Sequence, residues 1–115
     1  MSLLGQARER LEAQRPHSNR VACWLGRAAL EDRITELLAR KGVQPGPWAS
    51  IRSQLSCLEV AYADEPSVAT TAQYAWTRLS EGCHQHAYAM SPTYAEVRHL
   101  LDRVASLESQ SEGAS

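Results

Sequence analysis

Residues 66–90 read Pro66-Ser-Val-Ala-Thr-Thr-Ala-Gln-Tyr-Ala-Trp-Thr-Arg-Leu-Ser-Glu-Gly-Cys-His-Gln-His-Ala-Tyr-Ala-Met90. Val68, Ala72, Ala75 with Trp76, Leu79, Cys83, Ala87 and Met90 recur three or four apart, the spacing that lines one side of an α-helix. Pro66 suits the first helical turn, where no amide hydrogen bond is lost. The stretch therefore predicts one long helix from Pro66 to Met90. Its last third holds two of the four histidines, one of the three cysteines and a lone arginine.

Upstream, Ser2 to Gln14 predicts a helix with Leu3, Leu4, Ala7 and Leu11 inward and Arg8, Glu9 and Glu12 outward. Pro16 ends it, and Ser18 or Asn19 is expected to cap the next helix. His17, in the turn between, reads as a solvated loop residue. The second helix spans about Asn19 to Lys41 and stops at Gly42. Its apolar residues fall on two sides: Val21, Leu25 and Ala28 on one, Cys23, Leu30, Ile34 and Leu37 nearly opposite. A helix with two apolar faces sits in the middle of a bundle or meets a second subunit. After the Pro-Gly-Pro linker, Trp48 to Asp64 predicts a third helix striped by Trp48, Ile51, Leu55, Leu58 and Tyr62. A fifth follows Pro92, with Thr93 and Glu96 as a capping box. It buries Tyr94, Val97, Leu101 and Val104.

Alternation of apolar and polar residues never persists, so no strand is expected. The fold class is all-α, an antiparallel bundle of four to five helices with short loops. One domain covers residues 1–108, and the small polar residues 109–115 read as a disordered tail. With 115 residues, 43% of them apolar and no Phe, the core must be built from Leu, Ala and Val. No run is long and apolar enough to span a membrane. The opening residues lack the basic flank and apolar core of a signal peptide. An odd number of cysteines argues against a disulfide framework and for a reducing compartment, so a cytoplasmic location is expected.

The net charge of −1 conceals a split. Residues 1–52 carry nine Arg or Lys against five Asp or Glu; residues 53–115 carry three against eight. Such a division either steers two copies together, leaves a basic face for a polyanion, or reflects solvated helix surfaces.

Placed on a helix, Arg78, Gly82 and His86 share one strip, the outer two about 12 Å apart along the axis. A glycine in mid-helix costs about 1 kcal/mol relative to alanine. It makes room either for a ligand phosphate or for a neighbouring helix. His84 lies about 240° round from Arg78, so the two do not converge on one regular helix. Glu81, three residues from both, can pair with either. Read plainly, Arg78 is half of a surface pair with Glu81, His86 beside Cys83 is a core histidine, and Tyr88 packs with its hydroxyl wet. A metal set from Cys83 and His86 with Cys57 or His99 matches no standard spacing, and no metal or other cofactor is expected.

Arg78, five intervening residues and His84, followed by His86-Ala87-Tyr88, resembles the motif of the HEPN superfamily of small helical bundles. That motif is an arginine, four to six residues, then a histidine, often extended to His-x-Tyr. Here no single histidine satisfies both spacings, and Leu79 stands where the family often has Asn or Asp. The resemblance implies a homodimer whose two motifs meet in one composite site. It further implies a metal-independent endoribonuclease, toxin-like and held by a regulatory partner, in which the RNA 2′-hydroxyl attacks the adjacent phosphate. Arg78 would neutralise that phosphate and His84 or His86 would move the proton, with Arg52, Glu81 and Tyr88 as the residues holding substrate. Some members of the superfamily have lost catalysis and serve as binding modules. The alternative for this chain is therefore a non-catalytic helical interaction and dimerisation module.

Overall fold

The computed structural model describes residues 2–47, 49–84 and 92–113, with side chains as far as Leu107. Five helices account for most of them: α1 Leu3–Ala13, α2 Ser18–Arg40, α3 Ile51–Ala61, α4 Pro66–Cys83 and α5 Tyr94–Gly113. No strand is present among the described residues, so the all-α expectation holds. None of these helices is long and apolar enough to cross a membrane.

Each boundary has a local chemical cause. Ser2 caps α1 by accepting from the Gly5 amide at 3.0 Å, and Gln14 closes it in the left-handed region, its amide donating to the Leu11 carbonyl. The start of α2 differs from expectation. Ser18 Oγ accepts from the Arg15 amide at 2.8 Å, and Asn19 Nδ2 donates to the Pro92 carbonyl at 2.9 Å. Both candidate caps are thus engaged elsewhere, and His17 occupies the cap position at φ 67° without a side-chain bond. At the other end Gly42, at φ 75°, lets the Val43 amide reach the Leu38 carbonyl and its own amide reach Ala39. This is a Schellman closure, which only a residue tolerant of positive φ makes without strain.

α3 is shorter than its apolar stripe suggests. Ser50 caps it by accepting from the Ser53 amide at 3.1 Å, so helix begins at Ile51; Trp48 lies outside the described residues. Ile51, Leu55, Leu58 and Tyr62 do face the interior. Tyr62 is buried just past the helix, and its hydroxyl donates to the Leu37 carbonyl at 2.7 Å. That carbonyl belongs to the last turn of α2, where oxygens lose their helical partners. Burial pushes the Tyr62 phenol above its ordinary value, opposed by Lys41.

α4 begins at Pro66 as expected but stops at Cys83, not Met90. Gly82 offers little helical preference, and His84 turns to extended backbone with ψ 139°. Residues 85–91, including His86 and Tyr88, lie outside the described residues. The Thr93–Glu96 capping box forms in both directions, at 3.3 and 3.1 Å. The α5 backbone runs on to Gly113, through residues that the sequence assigns to the tail. Glu, Gln and Ser do not break a helix, and buried Leu107 anchors that end.

α2 packs against all four other helices, which puts it at the centre of the bundle, while Val21, Leu25 and Ala28 of its second apolar side stay half-buried. Its buried arc includes Ala22, Cys23, Gly26, Ala29, Leu30, Ile34, Leu37 and Leu38. Two glycines govern how closely its neighbours approach. A methyl at Gly26 would come within 2.7 Å of the end of the buried Leu101 side chain. One at Gly82 would sit 2.6 Å from Cys23 Sγ and 3.3 Å from its Cβ. Close helix contact is therefore the reason for Gly82, which stands in the last turn of α4.

Gly82→Ala is expected to lower stability by about 1–3 kcal/mol through overpacking, despite alanine's better helix propensity. Combined with Cys23→Ala, most of that loss is recovered, a coupling visible in urea denaturation midpoints. An unmoved midpoint for Gly82→Ala alone would show slack between α4 and α2.

Candidate functional site

The last turn of α4 carries the described part of the Arg–His motif. Arg78 and Glu81 stand on the solvent side, their side chains 49% and 61% exposed, and Arg78 Nη1 donates to Glu81 Oε2 at 3.3 Å. An exposed pair of this kind contributes about 0–1 kcal/mol. His84 is exposed immediately beyond the helix, its amide donating to the Glu81 carbonyl at 3.3 Å. The angle between Arg78 and His84 assumed for one regular helix does not apply, because the helix ends between them. Arg52 is exposed on the first turn of α3. Of the candidate residues, Arg78 and Glu81 are brought together. Neither Arg78 nor His84 lines any of the three clefts described below.

Behind this surface lies a thiol layer. Cys23 is fully buried under Gly82, and Cys83 is half-buried beside it in sequence. Burial pushes the Cys23 thiol up to about 12, with Cys83 adding to the rise and Arg20 opposing it. The Cys83 thiol is raised as well, again chiefly by burial, against Arg27 and Arg20. Cys57 is exposed on α3. Among the described residues no three His, Cys, Asp or Glu side chains gather as a metal-binding group, and His99 stands edge-on to the Tyr74 ring.

Among the described residues, three clefts open away from this surface. A cleft of about 490 Å³ opens at the α1–α2 turn, lined by Gln14, Arg15, His17, Ser18, Asn19, Arg20 and Tyr94. Two smaller ones flank α1, one beside Asp32 and Arg33 and one beside Glu9 and Arg10. The first concentrates two guanidinium groups and an imidazole. Only the cationic excess of residues 1–52 hinted at it, since nothing in the local spacing joins Tyr94 to a turn some eighty residues earlier.

The outer side of α2 is unusual too. Trp24 is 65% exposed there. Val21 and Ala28 lie half-buried on the same side, and Leu25, also half-buried, leans onto the core.

No protein-family model matches the chain, and it matches none of the curated proteins or solved structures with which it was compared.

Thiol chemistry should follow burial. Titration with a thiol reagent at neutral pH is expected to modify Cys57 first, Cys83 more slowly and Cys23 only on unfolding. Because folding raises the Cys23 pKa from 9.0 to about 12, the native state keeps a proton that the unfolded chain releases. Its contribution to stability is therefore complete below pH 9 and lost as pH climbs toward 12. Urea midpoints measured across this window should fall less steeply in Cys23→Ala.

Proposed function

We propose that this chain is a non-catalytic α-helical dimerisation module whose contact surface is the outer face of α2. The observation carrying this reading is the exposed Trp24 set among the half-buried apolar side chains of Val21, Leu25 and Ala28. A tryptophan held in water on an apolar strip is the kind of residue that dominates interfaces. A second copy is the occupant that fits. Along this face Arg20 precedes the apolar middle and Asp32 follows it, while Glu31 is paired with Arg27 of the same helix. Two such helices crossing antiparallel about a twofold axis near residues 25 and 26 would set Trp24 against the small Ala28. The cationic end of each would then meet the anionic end of the other. Three free thiols suit a reducing compartment, and the cytoplasm belongs to this proposal.

A second reading is the HEPN-like endoribonuclease. It is favoured by the end of α4 at Cys83, which frees His84 from the helical angle that separated it from Arg78 and leaves both exposed. On that reading Arg78 neutralises the scissile phosphate while the 2′-hydroxyl attacks it. His84 transfers the proton, with His86 as the other candidate and Arg52, Glu81 and Tyr88 holding RNA.

Light scattering coupled to gel filtration should show a dimer, and Trp24→Ala should weaken it by at least about tenfold, the effect of losing an interface hot spot. A monomer at high protein concentration would sink the dimer proposal. Total RNA incubated with the protein in chelator should stay intact. Cleavage abolished by Arg78→Ala and by His84→Ala would replace the first reading with the second.

A further inference from the structure

The stretch Gln14-Arg-Pro-His-Ser-Asn-Arg20 is folded into the wall of the α1–α2 cleft by a few bonds. Arg15 and Ser18 bind each other twice: the Arg15 amide donates to Ser18 Oγ at 2.8 Å, and the Ser18 amide donates to the Arg15 carbonyl at 2.9 Å. Ser18 is thereby buried and spent on holding the turn. Asn19 Nδ2 ties the turn to the Pro92 carbonyl, which brings the head of α5 and the Tyr94 ring across as the far wall.

Inside this wall the charge is one-sided. Arg15 and Arg20 form no ion pair among the described residues, and Arg20 Nε is buried without a hydrogen-bond partner. His17 supplies a third nitrogen group. The amides of Asn19 and Arg20 have no acceptor among the described residues, and the first turn of α2 contains no acidic side chain. No carboxylate lines the cleft. Glu12 accepts a hydrogen bond from the Tyr94 hydroxyl, and Glu96 is committed to the α5 capping box.

We propose that this cleft binds a small phosphate monoester. Its volume, about 490 Å³, falls within the range of small-ligand sites. The donors outnumber what a carboxylate can accept: two planar guanidinium forks, an imidazole and two open amides suit a group with three terminal oxygens. The Tyr94 ring leaves an apolar wall for the organic part. This site shares Arg20 with the edge of the α2 outer face and is separate from Trp24 and from the Arg78 surface.

Calorimetric titration of the full chain with inorganic phosphate, adenosine 5′-monophosphate, adenosine and sodium acetate tests the proposal. Saturable one-site binding of phosphate and the monophosphate is expected, weakening as salt rises. Arg15→Ala and Arg20→Lys should each weaken it at least tenfold with unchanged circular dichroism, whereas Arg52→Ala and Trp24→Ala should leave it intact. Arg15→Ala alone suffices if Arg20→Lys fails to fold, since Arg15 is exposed. The proposal is overturned by no saturable heat with phosphate or monophosphate, by equal affinity for adenosine or acetate, or by an equal loss in Arg52→Ala.

Discussion

The approach of α4 to α2 is set at one point, where backbone at Gly82 rests on the Cys23 side chain. Elsewhere in the core, leucines are interleaved with small residues such as Ala22, Ala69, Ala72 and Ala75, which let helix axes come close. α2 can then touch four neighbours at once. The same closeness removes Cys23 from water and keeps its thiol protonated.

The bundle was readable in the sequence because helix periodicity and cap chemistry are local. Thr93 and Glu96 announced the start of α5, Pro66 that of α4, and the double apolar pattern of α2 its central place. What misled were tertiary bonds. Ser18 and Asn19 are good caps by type, yet one is drawn into a reciprocal pair with Arg15 and the other reaches Pro92. Helical periodicity also continued past Cys83 on paper, whereas His84 adopts extended backbone. Apolar spacing alone does not register where a chain stops being helical.

The candidate site was less legible for a related reason. The Arg78–His84 arrangement rested on angles around a helix that does not reach His84, and Arg78 forms the plain surface pair with Glu81. The basic cleft draws its walls from α1, α2 and the head of α5, so no single window of sequence contains it. A charge count over half the chain registered its sign but not its position. Trp24 is similar: its residue type reads as core, and only its exposure marks it as surface.

The bond from Asn19 to the Pro92 carbonyl joins residues 73 positions apart. During synthesis the amide side chain emerges from the ribosome well before its acceptor, so α1 and α2 can pair early while the turn between them waits for its far wall. The cleft is thus among the last features to be completed, and it reports that the chain has been made through to α5. A ligand held there would select finished molecules over truncated ones by mass action, adding its binding free energy to the native state alone.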